Sequence, residues 1–167
     1  QPTLDPSKAA GKIVICQRGV VDRVQKSLTV KTAGGIGMIQ YNATDAQSLN
    51  ADFHSVPSIH VNATSGNAIV AYATSDPYAK ATISGPDTRP VDAPSMAGFS
   101  SYGPASAGGG DLLKPDITAP GVDIVAAYSQ DPTTKAPRFN SISGTSISAP
   151  HIAGLAALLK QKHPSWS

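Results

Sequence analysis

Residues 144–154, GTSISAPHIAG, join a predicted strand to a long apolar segment and decide how the C-terminal part of the chain folds. Residues 139–143, FNSIS, have the character of a short strand, and residues 152–159, IAGLAALL, predict a buried helix. Gly144 is expected to let the backbone turn between them, and Thr145 or Ser146 to cap the first free N–H groups. Pro150 is expected within about the first helical turn, where a missing N–H costs little.

A serine at this position lies beside free backbone donors and the positive end of a helix dipole. Such groups stabilise the oxyanion that develops during acyl transfer, so Ser146 is the candidate nucleophile. Gly-Thr-Ser before a helix is also ordinary capping chemistry, and these three residues alone favour capping. The longer motif is needed to distinguish helix capping from a catalytic nucleophile.

The eleven residues 144–154 resemble the serine motif of the subtilisin-like serine proteases (subtilases), and the resemblance matches Ser146 to the catalytic nucleophile. Residues 99–104 (FSSYGP) and 114–122 (KPDITAPGV) resemble two further blocks of that family, in the family's order. Subtilases commonly carry Arg or Val in place of Tyr102, and Met in place of Ile147. The resemblance implies an α/β fold, here a partial subtilisin-like parallel-sheet catalytic domain, and polypeptide substrates.

A serine hydroxyl needs a base to take its proton and a third group to orient that base. The chain has four histidines, His54, His60, His151 and His163. His151 follows Ser146 by five residues, which separates them by about 140° around a helix. His163 lies beyond the helix, and the other two belong to a different segment. No histidine is therefore predicted to be the base.

The family places its catalytic Asp, His and oxyanion-hole Asn in upstream motifs that have no counterpart in these 167 residues. Asp116 is interpreted as a loop acid rather than a triad member. We therefore expect a fragment of a longer, secreted endopeptidase that is inactive by itself. Its expected partners are polypeptide substrates and the remainder of the same protease chain.

Residues 1–87 carry a different pattern. Residues 12–16 and 36–41 predict strands flanking an amphipathic helix at 21–33, which Gly34 and Gly35 end, so a βαβ unit is expected. Further predictions are a strand at 56–61, a short helix at 66–73 and a last strand at 81–83. The basic side chains Arg18, Arg23, Lys26 and Lys31 are interpreted as a solvated surface.

Residues 11–19 (GKIVICQRG), 33–39 (AGGIGMI) and 56–59 (VPSI) resemble the protease-associated domain, a small α+β module that many subtilases insert before the serine motif. In the family the module is non-catalytic, so a protein-interaction module remains an alternative function. Residues 88–93 are predicted to be a linker, and 94–167 the serine-bearing part of the catalytic domain. Within the latter, a strand leading into a turn is expected at 96–104, and a further strand at 123–128.

Composition excludes several other classes. The net charge is +2, 14% of residues are charged, and no apolar run is long enough to span a membrane, so neither nucleic acid nor membrane is an expected partner. A single cysteine, Cys16, excludes an internal disulfide. His54 and His60 lack a third ligand at a suitable spacing, so neither a metal nor a cofactor is expected. Asn42 and Asn62 each begin an Asn-Ala-Thr tripeptide, an N-glycosylation acceptor only in a eukaryotic secretory pathway.

Overall fold

The computed structural model describes residues 4–85, 94–130 and 138–166, and the chain divides into two compact units, Gln1–Gly98 and Phe99–Ser167. The predicted linker at 88–93 lies outside the described residues. The division into domains at 1–87 and 94–167 stays a prediction, as does the identity of the first segment with a protease-associated domain.

The first unit is built on a three-stranded parallel sheet whose spatial order follows the chain order. Its strands are β1 Ile13–Gln17, β2 Gly37–Tyr41 and β3 Ser58–Val61. Three helices flank them: α1 Pro6–Ala9, α2 Arg23–Thr32 between β1 and β2, and α3 Ala63–Ser75 after β3. The α/β class and the βαβ unit predicted from the sequence are confirmed.

The core of the first unit lies around the central strand β2, whose first four residues are all buried. Met38 and Gln40 are fully buried, and α2 and α3 both contact this strand. Val30 of α2 and Ala63 of α3 are also buried, as are Ala9 and Ala33. A parallel strand covered in this way is uniformly buried rather than alternating, so its polar residue Gln40 is buried together with its apolar neighbours.

Glycine ends helix α2 as predicted. Gly34 has φ of +78°, a left-handed conformation that suits a residue without a Cβ, and the N–H of Gly35 donates to the carbonyl of Val30 at 2.9 Å. The chain therefore reverses within two residues and enters β2.

Two sequence predictions in this unit need correction. The helix predicted at 66–73 begins three residues earlier, because the side chain of Asn62 caps it by accepting from the N–H of Ser65 at 2.8 Å. The strand predicted at 81–83 is not formed. The side chain of Ile83 instead packs near Gly37, where an added Cβ would lie 3.1 Å from Ile83 Cδ1.

We expect Gly66→Ala to lower the free energy of unfolding by about 2 kcal/mol, because α3 crosses β2 closely at this residue. An added Cβ would overlap Tyr41 Cβ and Cγ and would lie 2.6 Å from Cδ2. Urea unfolding of the purified chain measures the change. The matched control is Gly154→Ala, also within a helix, where no atom lies within 4 Å and a gain of about 0.5–1 kcal/mol is expected. Equal effects of the two changes would contradict the close-packing explanation.

The second unit pairs β4 Ile124–Ala127 with β5 Phe139–Ile142 in an antiparallel ladder, and the 18-residue helix α4 Thr145–Lys162 follows. A 3₁₀ turn at Ala107–Gly110 and an isolated bridge between Ala105 and Leu112 precede them. The predicted strands at 123–128 and 139–143 are confirmed, but they pair antiparallel, whereas the resemblance implied a parallel sheet in this part of the chain. The strand predicted within 96–104 is not formed, because Gly98 interrupts it and the chain turns at Gly98 and Phe99.

Helix α4 is present where it was predicted, but no residue of it is buried. Leu155 and Leu158 remain 48% and 65% exposed. The helix is apolar around much of its circumference, and a two-stranded ribbon can cover only one side of such a helix. No helix in the described ranges is both long and apolar enough to cross a membrane.

Candidate active site

Ser146 is the second residue of α4, and its side chain is exposed at the point where β5 turns into the helix. The helix cap is Gly144, and no side chain makes a capping hydrogen bond there. The prediction that Thr145 or Ser146 caps the helix was therefore wrong. At this position in the helix, the Ser146 N–H has no intrahelical acceptor.

The conformation of Gly144 also differs from the expected one. Its φ of 163° and ψ of 158° are extended, and any residue adopts them. The turn therefore does not depend on a left-handed glycine at Gly144. Instead, the corner depends on Gly121, which is buried against it.

Gly121 lies in the loop before β4, and its carbonyl accepts from the N–H of Gly144 at 2.8 Å. An added Cβ at Gly121 would overlap Ser148 Oγ and lie 2.8 Å from the carbonyl oxygen of Gly144. Only a residue without a side chain fits between the loop and the start of the helix. Gly121 was not among the predicted site residues, although it lies within the 114–122 motif.

A second contact fixes the same corner. The N–H of Asp123 donates to Ser143 Oγ at 2.8 Å, and the Ser143 hydroxyl donates to Asp123 Oδ1 at 3.0 Å. Asp123 adopts φ of 51°, which Asp tolerates better than most residues. These reciprocal bonds connect the beginning of β4 to the residue that follows β5.

Pro150 is the sixth residue of α4 rather than part of its first turn, because the helix begins at Thr145. Its missing N–H is the one that would bond the carbonyl of Ser146, four residues earlier. The start of the helix therefore has one intrahelical bond fewer, and the contacts of Gly121 and Asp123 hold the corner instead.

The two histidines of this unit interact with groups other than Ser146. His151 Nδ1 lies 3.1 Å from the carbonyl oxygen of Ile147 in the same helix, and the ring of His163 stacks on Trp166 with 4.0 Å between centroids. Neither makes a hydrogen bond to Ser146 in the described structure. A base for the serine is thus not provided by the residues of this unit that the structure describes.

A cavity of about 740 Å³ lies in the second unit and reaches the beginning of α4 at Thr145. Its other lining residues come from two segments, Ser100, Ser101, Tyr102, Gly103, Pro104, Ala105 and Ser106 in one, Lys114 and Pro115 in the other. All of them except Ala105 and Ser106 belong to the motifs that resemble subtilase blocks, so these blocks form much of the surroundings of Thr145, the residue next to Ser146.

The first unit contains a buried polar cluster at the carboxyl end of its sheet. Asn42 is fully buried directly after β2, and its Oδ1 lies 2.8 Å from Nε2 of His60 in β3. His60 Nδ1 accepts from the N–H of Asn50 at 3.0 Å, so the proton of the neutral ring lies on Nε2 and is donated to Asn42. Burial lowers the pKa of His60 and of the neighbouring His54.

Two arginines join this cluster, contrary to the predicted solvated surface. Arg18 Nη1 donates to the carbonyl of Ser48 at 2.8 Å, and Arg23 forms a bidentate pair with Asp52 that includes Nη2–Oδ1 at 2.9 Å. The hydrogen bond from Arg23 is the main reason that the pKa of Asp52 is lowered. The long connection between β2 and β3 is thus held at two points, at Ser48 by Arg18 and at Asp52 by Arg23.

The remaining candidate ligands do not converge. Within the described ranges, no group of three or more His, Cys, Asp or Glu side chains is placed to hold a metal ion. Cys16 is half-buried in β1, and burial raises the pKa of its thiol. The contacts of His60 with Asn42 and Asn50 make the cluster around it a structural network.

Acid is expected to destabilise the first unit below about pH 6.5. Burial lowers the pKa of His54 and His60 from 6.5, so the unfolded chain takes up these protons first. Their contribution is complete above the unfolded pKa and is lost as the pH falls. Arg18 and Arg23 oppose protonation, whereas Asp52 favours it. The urea midpoint measured between pH 8 and pH 5.5 should fall.

The fall in the urea midpoint should be smaller in His60→Gln, which removes one of the two buried histidines. The variant His151→Gln, which changes an exposed histidine of the other unit, controls for the loss of a titratable ring. A midpoint that stays constant down to pH 5.5 would contradict the expectation.

The serine at a helix start and the three ordered motifs agree with the family match. This chain belongs to the subtilase family, whose model matches residues 16–167. The chain is 47% identical over 175 aligned residues to Subtilisin-like protease SBT1.7 of Arabidopsis thaliana, covering 99% of this chain and 23% of that protein. Subtilisin-like protease SBT1.3 of the same plant is 47% identical over 174 residues, covering 98% and 22%. The chain thus spans less than a quarter of the length of these curated relatives.

Proposed function

We propose that this chain contributes the nucleophile of a subtilisin-like serine endopeptidase, and that Ser146 is that nucleophile. The observation that carries the proposal is the position of Ser146 at the start of the 18-residue helix α4, exposed and not used for capping. A helix of this length presents free N–H groups and a partial positive charge at its start. Both favour an oxyanion close to the serine.

In the proposed reaction, Ser146 Oγ attacks the carbonyl carbon of a peptide bond and gives its proton to a histidine. The backbone N–H of Ser146 donates to the resulting oxyanion. Collapse of this intermediate expels the amine, which takes the proton from the histidine, and leaves an ester on Ser146. Water then hydrolyses the ester by the same sequence. The histidine, the aspartate that orients it and a second oxyanion donor come from polypeptide outside these 167 residues.

We further propose that the first unit is a protease-associated domain without a catalytic role, and that the enzyme acts outside the cell. The small βαβ-based fold and its position before the serine motif support the first point. The assignment of the curated relatives to the subtilisin-like proteases supports the second. Both ring nitrogens of His60 are hydrogen-bonded within the unit, which agrees with a structural rather than a catalytic role for this histidine.

A fluorophosphonate probe tests the proposal in two settings. The isolated chain should not be labelled, since its described residues give Ser146 no base. A chimaera in which the chain replaces the aligned region of SBT1.7 should be labelled at Ser146. Ser148→Ala is the matched control, because it removes a hydroxyl from the same helix about 200° around its axis and should leave labelling intact. Labelling of the folded chimaera at another serine would reject the assignment.

A further inference from the structure

The tripeptide Asn-Ala-Thr occurs twice in the first unit, and the structure places its two asparagines in opposite environments. Asn42 directly follows β2 and is fully buried, whereas Asn62 directly follows β3 and is exposed. Attachment of a glycan to an asparagine requires space around Nδ2 and converts it from a double to a single hydrogen-bond donor. The two side chains differ in both respects.

Asn42 fails both of them in the folded unit. Its Nδ2 donates to the carbonyl oxygens of Gln47 at 2.8 Å and Ser48 at 3.3 Å, and its Oδ1 is the partner of His60 Nε2. No part of the side chain reaches solvent. A sugar on this nitrogen would displace the connection between β2 and β3 and remove a bond from the cluster, so a chain modified there could not form this fold.

Asn62 meets both requirements. It is the cap of α3, and the cap uses only the oxygen of its amide, which accepts from the N–H of Ser65 at 2.8 Å. The glycosidic bond forms at the nitrogen, so the capping bond is retained after modification. The third residue of the tripeptide, Thr64, is also exposed, and its N–H donates to Asp45 Oδ1 at 3.0 Å.

We propose that Asn62 is an N-glycosylation site of this chain and that Asn42 carries no glycan in the folded protein. The donor is an oligosaccharide joined to a lipid through a diphosphate. Asn62 Nδ2 forms a bond to the anomeric carbon, the bond from that carbon to the diphosphate oxygen breaks, the lipid diphosphate leaves, and one amide proton is lost. The site rests on the extracellular location proposed above and does not depend on peptidase activity.

The test directs the chain into the secretory pathway of a eukaryotic host with an added leader and measures glycan occupancy by intact mass before and after enzymatic deglycosylation. Peptide mapping then assigns each site, because deglycosylation converts the modified Asn to Asp. Asn62→Asp removes the acceptor while keeping an oxygen for the helix cap. The matched control, Thr44→Ala, destroys the other tripeptide but leaves the Asn42 side chain in place.

The expected result is a single glycan on the secreted chain, none on Asn62→Asp and an unchanged single glycan on Thr44→Ala. Occupancy is also read in the soluble and aggregated protein retained by the cells. A glycan on Asn42 that is confined to aggregated protein supports the proposal. A folded, secreted chain with a glycan on Asn42, or with Asn62 unmodified in both soluble pools, overturns it. Because the route is imposed and the readout is mass, failure of the peptidase proposal would leave this result interpretable.

Discussion

Ser146→Ala should reduce kcat of the chimaeric protease by about 10⁶-fold, which is the loss known for removal of the nucleophile in subtilisin itself. Alanine removes the atom that forms the acyl-enzyme and changes little else, because the Ser146 side chain is exposed and makes no capping bond. Steady-state hydrolysis of a peptide substrate and loss of fluorophosphonate labelling measure the effect together.

Two controls separate chemistry from folding in this experiment. Ser148→Ala should keep kcat within a few-fold, and the thermal unfolding of Ser146→Ala should match that of the unchanged chimaera. If kcat fell by less than about tenfold in Ser146→Ala, Ser146 would not be the nucleophile. Loss of a general acid or base alone already costs ~10²–10⁴ in rate.

Asn42→Ala should lower the free energy of unfolding of the first unit by about 3 kcal/mol. The change takes a hydrogen-bond partner away from His60, from Arg18 and from two carbonyl groups of the following loop. Each buried polar group left without a partner costs about 1–3 kcal/mol, and relaxation of the loop recovers part of the sum. Urea unfolding at pH 8 gives the value.

The same substitution at the second tripeptide is the comparison. Asn62→Ala removes one exposed helix cap and should cost only about 1 kcal/mol. If both variants lost the same stability, the buried cluster would not be a major support of the sheet.

Local patterns predicted the elements whose signals lie within a few neighbouring residues. The apolar runs of β1 and β2, the amphipathic pattern of α2 and the glycines after it were sufficient to predict the βαβ unit. The position of Ser146 at the start of a helix followed in the same way from residues 139–159. These patterns work because strand and helix periodicity is a property of adjacent residues.

Features that depend on distant residues were not predicted. Gly144 was predicted to be the turn residue, but Gly121, 23 positions earlier, is the glycine that close packing requires. The cluster of Arg18, Asn42 and His60 consists of residue types common in loops, and its members come together only when three strands pair. The burial of α4 was mispredicted for a related reason, since an apolar helix is buried only where other elements cover it.

The agreement between strand order and chain order in the first unit has a consequence for how the protein forms. Each strand pairs with the next one along the chain, and all three strands lie within the first 61 residues, so the sheet needs no segment from the second unit in order to form. Chains are synthesised from the N-terminus, and small units can fold during synthesis. We expect residues 4–85 to acquire protease resistance while the helix that carries Ser146 is still being translated. Formation of the sheet is then an early step in the folding of the chain.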